Sequence, residues 1–68
     1  MELTQKRKML GFALQSRRCS KQAAVTILMV LENDDQIDDL IWYMGEHPTA
    51  SENELVAVAY QLVKDAHS

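Results

Sequence analysis

Residues 42–55 read WYMGEHPTASENEL, and this stretch predicts the end of one helix and the start of the next. Gly45 is the residue type that most readily adopts the left-handed backbone that closes a helix, and Pro48 cannot continue one. The SENE sequence that follows has the spacing of a capping box, in which the Ser51 hydroxyl and the Glu54 carboxylate each accept a backbone N–H. The stretch therefore predicts a short connection between two helices.

Apolar periodicity supports a helix on each side of this connection. The following segment places six apolar residues on one broad face: Leu55, Val58, Ala59, Leu62, Val63 and Ala66. The preceding segment repeats apolar residues at i, i+3, i+4 and i+7: Ile37, Leu40, Ile41 and Met44. These spacings predict helices near 52–66 and 34–45, the second capped by Asn33 or Asp34.

Two further helices are predicted towards the N-terminus. Ser20 can cap a segment near 21–32 that is apolar almost all round, which is typical of the central helix of a domain. A buried strand is the alternative because β-branched residues are frequent there, but no second strand exists for it to pair with. A weaker stripe of Leu3, Leu10 and Leu14, interrupted by Gly11, predicts a helix near 3–16.

Length and connections then set the fold class. A chain of 68 residues forms one domain, here residues 1–68, and buries only about 60% of the surface that its unfolded form exposes. Short loops favour antiparallel neighbours. We expect a compact all-α domain of three to four helices, in which the first helix lies across a three-helix core.

The cellular location follows from what the sequence lacks. Cys19 is the only cysteine, so neither an intramolecular disulfide nor a paired-cysteine zinc site can form, and a reducing compartment is indicated. The basic residues before MLGFAL resemble the start of a signal peptide, but the apolar run is too short. No apolar run approaches the roughly 20 residues that span a bilayer. We expect a cytoplasmic protein without a membrane segment.

Chemical motifs are absent from the sequence. The acidic run at 33–39 lacks the glycine and glutamate positions of a calcium-binding loop and is better explained as a helix start. His47 and His67 lack the spacing of paired metal ligands. Basic neighbours and a nearby helix start could lower the pKa of Cys19, but no base accompanies it. We therefore expect no enzyme, metal site, cofactor or small-molecule substrate.

Charge is distributed unevenly along the chain. Residues 1–21 carry six basic side chains and one acid, whereas residues 22–68 carry one basic side chain and nine acids. A basic end of this kind could bind nucleic acid, could offset the acidic helices of the same chain, or could pair two chains head to tail.

The stretch at 42–55 also resembles the turn of helix-turn-helix and winged-helix domains. In such domains the helix after the turn enters the major groove with its first residues against base edges and phosphates. Here those residues are Glu52, Asn53 and Glu54, and carboxylates at that position repel phosphate. The resemblance therefore implies a shared architecture and not a shared DNA-binding role.

Two functional hypotheses follow. The first is a non-enzymatic protein–protein interaction module, most simply a homodimer. Trp42 lies about 140° from Ile37 on a helical wheel, away from the apolar stripe, and is either covered by the first helix or exposed. The candidate interface residues are Leu10, Phe12, Leu14, Trp42 and Tyr43.

The second hypothesis is a nucleic-acid-associated accessory protein, related to helix-turn-helix proteins in architecture. It would contact phosphate through the basic segment 6–21, and the rest of the acidic chain would face other proteins. The candidate phosphate contacts are Lys6, Arg7, Lys8, Arg17, Arg18 and Lys21. Nucleic-acid binding is less favoured than protein binding because the remaining 47 residues are strongly acidic.

Overall fold

A computed structural model describes residues 5–68 of the chain. Four α-helices and no strand occur in this range: α1 (Gln5–Ser16), α2 (Lys21–Val30), α3 (Asp34–Glu46) and α4 (Glu52–Ala66). The all-α prediction is confirmed, and so is the helix prediction for the segment that could have been a strand. The first two residues of the predicted helix at 3–16, including Leu3, lie outside the described residues.

The predicted N-caps are confirmed at three helices. Ser20, Asn33 and Ser51 each accept a hydrogen bond from the backbone N–H three residues later, at 3.1, 2.9 and 3.2 Å. Asn33, and not Asp34, is therefore the cap of α3. These side chains satisfy backbone donors that have no partner within their own helix.

Two glutamates at the start of α4 bond to other helices. The Glu52 carboxylate accepts from the backbone N–H of Ser20 at 3.0 Å and from its hydroxyl at 2.9 Å. The Glu54 carboxylate accepts from the Tyr43 hydroxyl at 2.6 Å, so it does not complete the capping box of its own helix. A capping box at α2 would need a glutamate three residues after Ser20, but that residue is an alanine. Glu52 of α4 accepts the Ser20 backbone N–H instead.

The helices pack in a ring in the order α1, α2, α4, α3, with α1 opposite α4 and α2 opposite α3. The first turn of α1 meets the end of α2, so these sequence neighbours run antiparallel as expected. The neighbours α2 and α3 do not pack side by side. The expectation of a three-helix core crossed by α1 is therefore wrong, because α1 is an equal member of the ring.

All four helices contribute to one core. Its buried apolar side chains are Leu10, Leu14, Ile27, Leu31, Ile37, Leu40, Met44, Leu55 and Ala59. The Cα radius of gyration is 10.9 Å, close to the roughly 11 Å expected for a compact chain of this length. The core is therefore closed within one chain.

The position of α2 corrects a second expectation. Its all-round apolar sequence predicted the central helix, but α3 contributes the most buried residues, and one side of α2 faces outward. Val25 and Met29 on that side are 44% and 79% exposed. The apolar residues of α2 therefore lie on two sides of the helix: one side packs into the core, and the other is exposed.

Contrary to the sequence prediction, Gly45 does not end α3 in a left-handed conformation. This glycine lies inside α3 without a positive φ, and the helix ends at Glu46 with His47 as its C-cap. The left-handed residue is instead Arg18, with φ of 59°, after α1. Hydrogen bonds from the Arg18 and Cys19 N–H groups to Gln15 and Leu14, at 2.9 and 3.1 Å, form a Schellman motif there.

Within the part of the chain that the structure describes, no helix has the length and apolar character needed to cross a bilayer.

Candidate interaction surface

An open groove of about 660 Å³ runs along the outer face between α1 and α2. Its apolar lining comes from both helices and includes Phe12, Ala24, Val25 and Leu28. Gly11 also lines it, and a Cβ built at this glycine meets no atom within 4 Å. A side chain at position 11 would therefore begin in open space at the edge of this groove. We call this feature the α1–α2 groove.

The apolar side chains at this groove are unusually exposed for their size. Phe12 is 70% exposed, and the partly exposed Val25 lies across the groove from it on α2. Met29 follows Val25 by four residues and so extends the same side of α2 by one turn. Adjacent exposed apolar residues of this kind are typical of a surface that contacts another molecule.

The charged residues that line the groove are all basic: Arg7, Lys8 and Lys21. Since α1 and α2 are antiparallel, Arg7 and Lys8 lie towards one end and Lys21 towards the other. The side chains of Lys8 and Lys21 are exposed, and they form no hydrogen bond or ion pair with any residue from 5 to 68. The groove therefore combines an apolar centre with positive charge at both ends.

Arg7 also has a structural role in this wall. Its guanidinium donates to the carbonyl oxygens of Leu28 at 2.5 Å and Leu31 at 2.9 Å, at the end of α2. The last turn of α2 carries no basic residue of its own. Arg7 thus supplies both hydrogen bonds and a favourable charge to the negative end of the α2 dipole.

Arg17 does the same for α3. Its guanidinium donates to the carbonyl oxygens of Met44 and His47, the latter at 2.9 Å, where α3 also lacks a basic residue. These bonds explain why α3 ends without the left-handed glycine expected at Gly45, since its last carbonyls already have donors.

The six predicted phosphate contacts are therefore divided. Lys6 bonds to Asp38 at 2.5 Å across α1 and α3, and this bond raises the pKa of Lys6. Arg7 and Arg17 donate to helix carbonyls, whereas Lys8, Arg18 and Lys21 are exposed. Three of the six, Arg7, Lys8 and Lys21, line the α1–α2 groove.

The predicted interface residues are divided as well. Leu10 and Leu14 are fully buried in the chain's own core and do not reach a partner in this conformation. Tyr43 is half-buried; its hydroxyl bonds to Glu54, and its ring centroid lies 4.2 Å from that of His47. Phe12 and Trp42 are exposed, on α1 and α3 respectively.

Trp42 is the centre of an acidic stripe on the outer face of α3. It is 67% exposed, so the first helix does not cover it. Asp35, Asp39 and Glu46 are also exposed, and with Trp42 they occupy positions i, i+4, i+7 and i+11 on one helical face. We call these four residues the α3 stripe. Asp39 and Glu46 form no ion pair with any residue in the described range, whereas Asp35 adds to the effect of Asp38 in raising the pKa of Lys6.

Cys19 and His67 were the candidate reactive and metal-ligating residues of the sequence, and the structure places each beside specific partners. Burial, and secondarily the Glu52 carboxylate, raises the pKa of the Cys19 thiol despite the opposing effect of Arg17. Arg17 acts in the expected direction, but burial and Glu52 outweigh it, so the net shift of the Cys19 pKa is opposite to the one that the sequence suggested. His67 bonds to Glu32 at 2.6 Å. No three metal-ligating side chains cluster anywhere in residues 5–68.

No protein-family model matches this sequence, and neither a curated protein nor a solved structure is significantly similar to it. The surface must therefore be interpreted from its own geometry.

Sequence reasoning identified Phe12 and Trp42 but missed Gly11, Val25 and Met29. The all-round apolar character of α2 was the signal, because a helix in a small ring cannot bury every side.

Proposed function

We propose that this protein is a non-enzymatic helical interaction module whose α1–α2 groove binds an apolar, acidic segment of another protein chain. One observation carries the proposal: the groove has exposed apolar side chains at its centre and only basic side chains among its charged lining. Apolar contact gives binding energy, and charge complementarity gives orientation and selects partners. A homodimer is the simplest assembly of this kind, and the cytoplasm the expected location.

The core supports this proposal because it is complete without the groove residues. Phe12 and Met29 contribute little to the buried cluster, yet both are large apolar side chains. Leaving such side chains in water brings no folding free energy, whereas covering them in a complex removes apolar surface from water at roughly 25 cal/mol per Å² before binding costs. Their position is therefore better explained by binding than by folding.

A helical partner fits the groove better than an extended one. The groove lies between two packed helices, and the described part of the chain offers no sheet edge to which a strand could add. An amphipathic helix uses one face at i, i+3, i+4 and i+7 to occupy such a groove. Acidic residues beside that face would meet Lys8 and Lys21.

Nucleic-acid binding remains a second and less favoured proposal. Arg7 and Arg17 already donate to helix carbonyls, and Lys6 is paired with Asp38. Phosphate contact would then depend mainly on Lys8, Arg18 and Lys21, and so few contacts give only weak, salt-sensitive binding.

Calorimetric titration tests the proposal with two synthetic helical peptides that share one apolar face. The first carries glutamate on its polar positions, and the matched control carries lysine there. We expect the acidic peptide to bind and the basic peptide not to bind, and Gly11→Glu, which puts an acid in the groove, to abolish the acidic peptide's binding. Equal binding of both peptides, or binding unaffected by Gly11→Glu, would refute the assignment of this groove.

A third titration uses duplex DNA at physiological salt. The protein-interaction proposal predicts no measurable binding. Binding tighter than about 10 µM, beyond the usual non-specific level, would instead support the nucleic-acid alternative.

A further inference from the structure

The α1–α2 groove and the α3 stripe have the same arrangement with opposite charge. The groove places Phe12 and Val25 between Lys8 at one end and Lys21 at the other. The α3 stripe places Trp42 between Asp39 on one side and Glu46 on the other. Each surface is thus an apolar centre flanked by charges, and the charges on one surface complement those on the other.

We propose that the occupant of the α1–α2 groove is the α3 stripe of a second copy of this chain, so that copies associate head to tail. This inference rests on the proposed function, because it names the partner of the same groove. Trp42 would lie against Phe12 and Val25, and its flanking carboxylates would meet the lysines at the two ends. Tryptophan is among the residues that most often dominate binding energy at interfaces.

The two surfaces also match in length. Asp39 and Glu46 are seven residues apart on α3, which corresponds to about 10.5 Å along a helix axis. On α2 the groove extends from Lys21 to Leu28, also seven residues and about 10.5 Å. The separation of the acids therefore matches the length of the groove along α2.

Charge decides between this arrangement and a symmetric one. Pairing two grooves would bring Lys8 and Lys21 of one copy close to the same cations of the other. Pairing two α3 stripes would bring Asp39 and Glu46 close to like carboxylates. Like charges across an interface are unfavourable, whereas the groove-to-stripe contact places Lys8 and Lys21 against the opposite charges of Asp39 and Glu46.

A groove-to-stripe contact uses different surfaces on the two copies. Where two copies share only one such contact, one groove and one stripe stay unused, and further copies can add until the assembly closes or continues as a chain. Because lysine–carboxylate pairs carry part of the attraction, association should weaken as salt is added.

Sedimentation equilibrium of single-surface variants and of their mixture tests this arrangement. The groove variant is Gly11→Glu, whose Cβ meets no atom within 4 Å and which replaces a helix-interior glycine with a better helix former. The stripe variant is Trp42→Ala, which truncates an exposed side chain. The control is Ala57→Glu, which makes the same charge change at an exposed position on α4. Circular dichroism confirms that each variant is folded.

The wild-type chain and Ala57→Glu should associate with increasing concentration, and each surface variant alone should associate at least about tenfold more weakly. An equimolar mixture of the two surface variants should recover association, but only to a dimer, since Trp42→Ala provides an intact groove and Gly11→Glu an intact stripe. A wild-type chain that stays monomeric, or a mixture that stays monomeric, would overturn the head-to-tail arrangement.

The failure of this inference differs from the failure of the proposed function. If Gly11→Glu prevents association but Trp42→Ala does not, the groove binds a second copy through another surface, and only the α3 stripe assignment is wrong. If the acidic peptide does not bind the groove in calorimetry, the proposed function itself is wrong.

Discussion

The outer face of α1–α2 and the outer face of α3 are built alike but differ in the sign of their charge. On the first, Lys8 and Lys21 flank exposed apolar side chains; on the second, Asp39 and Glu46 flank Trp42. At the ends of the helices, in contrast, charges are paired, as at Lys6 with Asp38. The difference teaches that the two outer faces are complementary in charge, whereas the exposed Lys6–Asp38 pair joins α1 to α3 within one chain.

Truncating a side chain of the core and truncating a side chain of the α3 stripe should change the free energy of unfolding by very different amounts. Leu40 is fully buried and Trp42 is exposed, although they are two residues apart on α3. Leu40→Ala should lower the free energy of unfolding by roughly 2–5 kcal/mol, and Trp42→Ala by less than about 1 kcal/mol. Urea denaturation at low protein concentration measures both. Equal losses would mean that Trp42 is packed, contrary to this structure.

Two adjacent cations on the wall of the groove should also behave differently. Arg7 donates to the carbonyls that end α2, whereas the Lys8 side chain forms no hydrogen bond or ion pair with any described residue. Arg7→Gln should destabilise the fold by about 1–2 kcal/mol, because charged donors to partly buried carbonyls are lost. Lys8→Gln should stay within about 0.5 kcal/mol of wild type. Thermal or urea unfolding of the two variants compares them, and a reversed order would show that the cation roles are misassigned.

Replacing Arg18 should stabilise the protein. Its φ of 59° is unfavourable for a side chain with a Cβ, and glycine is the usual residue at this place in a Schellman motif. Arg18→Gly should raise the free energy of unfolding by about 0.5–1 kcal/mol, after allowing for glycine's greater freedom in the unfolded chain. A loss of stability in urea denaturation would indicate that the Arg18 side chain has a contact that stabilises the fold.

The smallest expected effect concerns pH and Glu52. Hydrogen bonds from the Ser20 backbone N–H and hydroxyl hold the pKa of Glu52 below its ordinary value of 4.5. A lowered folded-state pKa contributes stability above the unfolded-state pKa, and this contribution is lost as pH falls through the folded-state pKa. The difference in urea midpoint between wild type and Glu52→Gln should therefore shrink from neutral to acidic pH. A constant difference would mean that the Glu52 charge makes no net contribution.

The local structure was largely predictable because it depends on neighbouring residues. Ser20 and Ser51 act as caps through side chains that reach only three residues ahead, so the sequence contains the whole interaction. Gly45 shows the limit of such reasoning. The end of α3 depends on Arg17, a residue distant in sequence whose guanidinium reaches the last carbonyls only after the ring has formed.

The candidate surface was only partly predictable for a similar reason. Trp42 could be placed off the apolar stripe by counting along its own helix, but whether α1 covered it depended on the order of packing. Leu10 and Leu14 were assigned to an interface as apolar surface of the first helix, but packing of the four helices buries both in the core. The groove itself is lined by residues of both α1 and α2, and periodicity along one helix does not reveal how two helices meet.

The most direct test of the central claim is a dilution series of amide spectra by nuclear magnetic resonance, from millimolar to micromolar protein. If the α1–α2 groove and the α3 stripe bind each other in a weak, reversible contact, resonances near Phe12 and Val25 and the Trp42 indole N–H should shift together on dilution. Resonances of the exposed face of α4, around Ala57, should stay fixed. Spectra that do not change with concentration, or changes confined to α4, would contradict the account.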